Sequence, residues 1–308
     1  MRPSKSAKRE AERPVFRSGF VSFIGRPNVG KSTLMNALVG EKVAITSAKP
    51  QTTRHTIRGM VNHDDGQLII VDTPGIHRPR TLLGERLNAL AKSTLGDVDV
   101  IGMCFPADEP VGKGDRFISE QLEMYPRAKK IAIVTKTDAA SREKTAARLL
   151  EVSQLRDWTE IIPVSAITEG HMTEFASTLI ALLPEGHALY DVATTTDDDT
   201  EKRISELIRE SLLETVQDEL PHSLAVTIDE MVEREDKDLL EIYANIFVER
   251  DSQKSIIIGH GGSRLKETGA ISRREIEALL GRHVFLSIRI KVAKDWQRDP
   301  KKLERLGF

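Results

Sequence analysis

Gly25-Arg26-Pro27-Asn28-Val29-Gly30-Lys31-Ser32 closes the apolar run Phe20–Gly25 and opens a helical stretch, Ser32–Leu38. The spacing G-x-x-x-x-G-K-S between a strand and a helix is that of a phosphate-binding loop. Its glycines let the backbone turn tightly and aim N–H groups at a β-phosphate, helped by the positive end of the helix dipole. Lys31 is then placed to reach β- and γ-phosphate oxygens, and the Ser32 hydroxyl to ligate Mg2+. A glycine turn without a ligand is the plain alternative. Average residue usage produces such a match by chance in only about 1% of chains this long, so the ligand reading leads.

Working outward, four more apolar runs, Leu68–Val71, Val98–Phe105, Ile131–Val134 and Ile161–Val164, alternate with helix-length amphipathic stretches. Runs of this kind belong to strands buried on both faces, which predicts a mainly parallel sheet covered by helices. Such sheets bind ligands at the carboxyl ends of their strands, and polar residues collect there. Asp72-Thr73-Pro74-Gly75 follows Leu68–Val71. Asp72 offers a carboxylate to the Mg2+ side, and Gly75, lacking a side chain, can bring its N–H to a γ-phosphate. Thr135-Lys136-Thr137-Asp138 follows Ile131–Val134. A carboxylate at Asp138 accepts from both the N1–H and the 2-amino group of guanine, a donor pair that adenine lacks. Lys136 would lay its stem along the base, and Val164-Ser165-Ala166 could turn a backbone N–H to guanine O6. Gln51-Thr52-Thr53-Arg54 holds a hydroxyl able to complete a Mg2+ shell and to sense the γ-phosphate by ordering. The spacing alone leaves Thr52 and Thr53 both open.

The chain has 308 residues, enough for two domains. The sheet pattern stops near Pro184, and the expected division is a polar tail over 1–16, a sheet domain over 17–185, a linker over 186–200 and a second domain over 201–308. The second domain reads α-β-β-α-α-β: a helix over Glu201–Leu220, strands over Leu224–Met231 and Leu239–Val248, a turn over Glu233–Asp238, a short helix to Ile258, a longer one through Leu280, and a strand over His283–Val292. Ile256, Ile257, Ile258 and Leu265 are expected to form core and an apolar groove wall, and Phe285 and Trp296 to be core. Residues 251–308 carry 13 Lys and Arg against 7 Asp and Glu, whereas residues 191–250 carry 6 against 18. A basic face on an acidic domain would orient a polyanion. The net charge of −2 excludes a generic polyanion binder, and the single Cys104 excludes an internal disulfide framework and a multi-cysteine zinc site. Met1–Arg13 has no apolar segment behind it, so it does not read as a secretory signal, and no run approaches ~18 apolar residues. A soluble protein of a reducing compartment is expected.

The four motifs, in order, resemble the translation-factor-related class of P-loop GTPases. The fuller strings Gly25-Arg26-Pro27-Asn28-Val29-Gly30-Lys31-Ser32-Thr33-Leu34, Gln51-Thr52-Thr53-Arg54-His55 and Val71-Asp72-Thr73-Pro74-Gly75, with the α-β-β-α-α-β unit, resemble the Era family of bacterial GTPases over residues 18–308. The resemblance implies an α/β P-loop GTPase domain followed by an α+β type II KH domain. It implies slow Mg2+-dependent hydrolysis of GTP to GDP, with K+ as a candidate accessory cation near Asn28. It favours Thr53 over Thr52, giving Lys31, Thr53 and Gly75 in catalysis and Ser32, Thr53 and Asp72 around the metal. Nucleotide contacts extend to Thr33, Ile76 and Ala166. Gly259-His260-Gly261-Gly262 fits the G-x-x-G loop of a KH domain, which holds about four nucleotides in a groove, here with Ile258, Arg264 and Lys266 beside it. The implied partners are the 3′ region of small-subunit ribosomal RNA and the small ribosomal subunit in assembly. A cytoplasmic monomer is implied, with peripheral contact to the inner membrane left open.

Three positions depart from the pattern. Thr135 stands where most members carry Asn, so a hydrogen bond bracing the phosphate loop is either lost or remade by the hydroxyl. Ile76 stands where many signalling GTPases place a water-orienting Gln, which predicts slow turnover, about 10⁻⁴–10⁻² s⁻¹; the nearby His77 reads as a solvated loop histidine. The G-x-x-G loop has no internal Lys or Arg. Another reading is an RNA-binding module whose nucleotide site is structural only.

Overall fold

Leu68, Ile69, Ile70 and Val71 are all buried, Leu68 and Ile70 in one apolar layer and Ile69 and Val71 in the other. A strand covered on both faces needs no polar alternation, which is why these runs are continuous. The computed structural model describes residues 15–47, 49, 52–75, 79–168, 171–216, 223–234 and 238–308. Its first half runs β1 (Arg17–Ile24), α1 (Lys31–Val39), β2 (Ile57–His63), β3 (Gly66–Asp72), α2 (Leu82–Gly96), β4 (Val100–Pro106), α3 (Lys113–Gln121), β5 (Lys129–Thr135), α4 (Arg142–Ser153), β6 (Glu160–Pro163) and α5 (His171–Leu182). The six strands lie in the order β2-β3-β1-β4-β5-β6, parallel except for β2, which pairs antiparallel with β3. The β2 strand is absent from the sequence reading, because Ile57–His63 mixes Gly, Asn, Arg and His on an edge.

The second half runs α6 (Thr200–Thr215), β7 (Ala225–Arg234), β8 (Leu239–Val248), α7 (Asp251–Ile258), α8 (Ser263–Leu280), β9 (His283–Val292) and α9 (Pro300–Arg305). β8 is central, antiparallel to β7 and parallel to β9. Ile204, Ile208 and Leu212 of α6 and Ile276 of α8 pack on Ile242, Ala244 and Ile246 as the core of this unit. Each of these leucine and isoleucine side chains contributes about 1.5–3 kcal/mol on burial. Beyond the expected elements lies α9, started by Pro300 and by Asp299, whose carboxylate accepts from the N–H groups of Lys301 and Lys302. Leu303 and Leu306 of this end join Trp296, Ala225 and, from α2, Leu83 and Leu87 in a small core between the two units. Trp296 is fully buried as expected, but Phe285 is 49% exposed, edge-on to Tyr243 on the outer sheet face.

Residues 186–200 are not the free linker expected. The Met60 N–H donates to Thr195 O at 2.9 Å, Gly59 and Thr196 form a bridge, and Arg58 pairs with Asp197 at 2.9 Å. The Gln67 side chain accepts from the N–H groups of Leu189 and Tyr190. An edge strand has unpaired backbone groups, and the segment pairs with β2 at Gly59 and Met60. Among the described residues no helix is long and apolar enough to cross a membrane.

Candidate functional site

The phosphate loop runs from the end of β1 into α1. At Gly25 an added Cβ would sit 2.8 Å from the Cys104 carbonyl of β4, so only glycine lets the loop lie that close to the sheet. Gly30 takes a left-handed turn, φ 95°, and has no side chain to cap α1. By contrast, Thr81, Ser141 and Asp199 cap α2, α4 and α6. The first N–H groups of α1 are thus left for an anion. Lys31 is half-buried, its ammonium donating to the Gly25 and Arg26 carbonyls at 3.3 and 3.0 Å. Burial pushes its pKa down, with Asp72 pulling it back.

Three oxygens meet beside it. Asp72 Oδ2 accepts from the Ser32 hydroxyl at 2.9 Å and from the Thr53 hydroxyl at 3.0 Å, and those hydroxyls are 3.5 Å apart. Asp72 Oδ1 is buried with no hydrogen-bond partner, an orphaned anionic oxygen that suits a divalent cation. Burial pushes the Asp72 carboxyl up, against Lys31 and its hydroxyl donors. Of the two threonines, Thr53 points its hydroxyl at Asp72, whereas Thr52 Oγ1 donates to Lys49 O at 2.7 Å. A cleft of about 590 Å³ opens over these groups, bordered by Asn28, Thr33, Thr73, Gly75 and Lys136.

The base-recognition segment follows β5. Thr135, nearly buried, donates to the Val29 carbonyl of the phosphate loop at 2.7 Å, so the hydroxyl remakes the brace that its departure from Asn put in question. Lys136 takes a left-handed conformation, and Asp138 Oδ1 accepts from the buried Ser165 hydroxyl at 2.6 Å. The Ser165 hydroxyl therefore fixes the direction of the carboxylate. Arg26 turns its side chain out of the loop, to Asp115 at 2.9 Å and Glu109 at 3.0 Å, leaving only its backbone for phosphates. Gln51, Ile76 and His77 lie outside the described residues.

The G-x-x-G turn joins α7 to α8. Gly259 has φ 73°, and a Cβ there would meet the Arg264 Cβ at 2.8 Å. Gly262, φ 79°, again leaves a helix start, that of α8, without a side-chain cap. Ile257 is core, Ile258 half-buried and Ile256 exposed, while Lys266 is exposed and Arg264 donates back to Ile256 O at 2.5 Å.

Sequence reasoning missed a buried cluster between the units. Arg54, 1% exposed, donates to Leu224 O; Arg209 of α6, 2% exposed, donates to Thr52 O and is held by Glu206, Nε to Oε1 at 2.9 Å. Burial, then repulsion from Arg209, lowers the Arg54 pKa to about 9 despite Glu206. His55 stacks on Phe308 at 5.1 Å, and Phe308 on Trp296 at 5.7 Å. A positive charge at the end of a motif and charges on a helix normally read as solvated, so nothing in the spacing pairs residues this far apart.

Residues 20–137 match the family described as 50S ribosome-binding GTPase, and residues 219–297 match the KH domain. The GTPase Era of Mycolicibacterium smegmatis is 58% identical over 296 residues, 95% of this chain and 99% of that protein. That of Streptomyces coelicolor is 55% identical over 314 aligned positions, 99% of each. Among solved structures, an Aquifex aeolicus Era variant bound to GDP and AlF4⁻ superposes with a TM-score of 0.90 at 35% identity, covering 94% of this chain and 99% of that one. Era in complex with MgGDPNP and nucleotides 1506–1542 of 16S ribosomal RNA also gives 0.90 at 35%, covering 95% and 99%.

Proposed function

The chain belongs to the Era family of GTPases, and on that premise we propose that it is a GTP-driven switch that grips the 3′ region of small-subunit ribosomal RNA during assembly of that subunit. The observation that carries the reading is the meeting of the Ser32, Thr53 and Asp72 oxygens at the foot of the phosphate loop. Ser32, Thr53 and Asp72 would hold Mg2+ there. Mg2+, once bound, withdraws charge from the β- and γ-phosphate oxygens. Lys31 neutralises those oxygens from the loop side, the start of α1 donates to the β-phosphate, and the Gly75 N–H donates to the γ-phosphate. Gly75 borders the cleft over these groups. Asp138, steadied by Ser165, selects guanine. Ile76 cannot orient a water as a glutamine would, and turnover is accordingly slow.

The two uncapped turns divide the labour: Gly30 receives the nucleotide, and Gly259 to Gly262 receive the RNA backbone, with Ile258, Arg264 and Lys266 alongside. The same reading places the protein in the cytoplasm, where the subunits are built. A structural-only nucleotide site is disfavoured by Thr135, whose brace keeps the loop in a binding shape. Asn28, at φ 64°, is the residue through which K+ would join the phosphates, and hydrolysis faster in K+ than in Na+ would support it, equal rates would not. The test of the whole is titration of a labelled 16S 3′ fragment against the protein with GDP or a non-hydrolysable GTP analogue. Tighter binding with the analogue is expected; identical affinity would mean that the two units are merely tethered.

A further inference from the structure

The segment that carries Thr53 is held from outside its own domain, at both ends. Glu210 of α6 accepts from the Thr46 N–H at 2.9 Å and pairs with Lys42 at 2.7 Å. One residue earlier, Arg209 donates to the Thr52 carbonyl, its guanidinium locked by both carboxylate oxygens of Glu206. Thr52 has its own hydroxyl tied to Lys49, so its peptide is fixed on two sides. The next residue, Thr53, points its hydroxyl at Asp72. The residue after that, Arg54, is buried on the Leu224 carbonyl of the second unit. Nothing within the GTPase domain other than Ser32 and Asp72 holds the Thr53 hydroxyl in place among the contacts of the described residues.

We propose that Arg209, on the first helix of the RNA-binding unit, is a positioning residue for GTP hydrolysis, holding Thr53 on the Mg2+ side of the nucleotide. The inference rests on the reading of Thr53 as a metal ligand. Its physical content is that the catalytic constellation is completed by a different domain from the one that binds the nucleotide. A displacement of about 1 Å in a group that orients the reacting phosphates costs up to 10²-fold in rate. GDP, having no γ-phosphate, makes no demand on Thr53, so its affinity should not depend on Arg209.

The test uses the full chain. Arg209→Met is combined with Glu206→Gln, so that no buried carboxylate is left without its partner; Arg209→Lys is the conservative variant, and thermal unfolding of each reports folding. The expected result is kcat lowered about tenfold to a hundredfold in the double variant, a smaller loss with Lys, a higher Mg2+ requirement for hydrolysis and GDP affinity within twofold of the parent. In a Thr53→Ala background the same changes should cost nothing more, since residues acting through one group are not additive. A loss that multiplies in that background, equal losses for GTP and GDP, or an unchanged kcat would overturn the role of Arg209. Should Thr53→Ala by itself leave kcat and the Mg2+ requirement untouched, the assignment of the metal ligand falls first, and the inference with it.

Discussion

Two turns of this molecule use one device and put it to different ends. At Gly30 and at Gly262 the backbone enters a helix through a left-handed glycine, and neither helix has a side-chain cap. Both therefore offer free N–H groups to an anion. Around the first turn stand a half-buried lysine and a buried aspartate, one of whose oxygens is orphaned while the other accepts from two hydroxyls. Around the second stand an exposed His260, an exposed Lys266 and an arginine folded back on a carbonyl. Holding a phosphate needs only backbone and a little charge. Cleaving one needs groups fixed in a water-poor place, where electrostatic contacts are strong and reorganisation is small. On the function proposed above, the same turn serves as a grip or as part of a catalyst according to what stands beside it.

The comparison predicts that damage on the nucleotide side is steep and specific. Asp138→Asn removes the acceptor for two guanine donors and should cost GTP affinity about 10³-fold. Xanthosine triphosphate, with a carbonyl at the 2-position, should bind this variant better than GTP does, as measured by competition with a fluorescent nucleotide; unchanged GTP affinity would break the assignment. On the grip side, Gly262→Asp sets a negative side chain at a φ of 79°, where phosphates approach. RNA affinity should fall about 10²-fold by filter binding, while GTP turnover without RNA stays as it was. If turnover falls as well, the two turns are not independent devices. The smallest effect is expected at Thr135→Val, which keeps shape and deletes the 2.7 Å bond to the Val29 carbonyl. A buried acceptor left unpaired costs about 1–3 kcal/mol, so GTP should bind roughly tenfold more weakly, with base selection unchanged. Thr135→Asn should recover most of the loss.

How much of this could be read from the chain follows the same line. Strands buried on both faces announce themselves as apolar runs, and the two glycine turns are legible because few residues can take their places. The opposite directions of the Thr52 and Thr53 hydroxyls are side-chain geometry, which spacing does not carry. β2 was illegible because an edge strand may be polar, and residues 186–200 looked like a free linker because their partners lie on that unseen edge. The Arg54, Glu206 and Arg209 cluster stayed hidden for another reason: a charged residue is exposed by default, and its burial depends on a partner more than 150 positions away. Asp299-Pro300 was the one local signal passed over, a helix start ahead of a short basic stretch.

The pinned segment before α6 has a mechanical consequence. Because residues 186–197 are fastened along β2 and to Gln67 of β3, a tilt of the second unit would pivot at the foot of α6, near Asp199, and would have to break the contacts that Arg203, Arg209 and Glu210 make with the first unit. From there the helix is a stiff lever: ten residues carry Arg209 ~15 Å from the pivot, and a swing of ~10° moves it ~2.6 Å. That stroke takes a hydrogen bond past its limit of about 3.5 Å. A tilt imposed on the RNA-holding end would thus arrive at Thr52 as a release, and a change at Thr52 would arrive at the far end magnified.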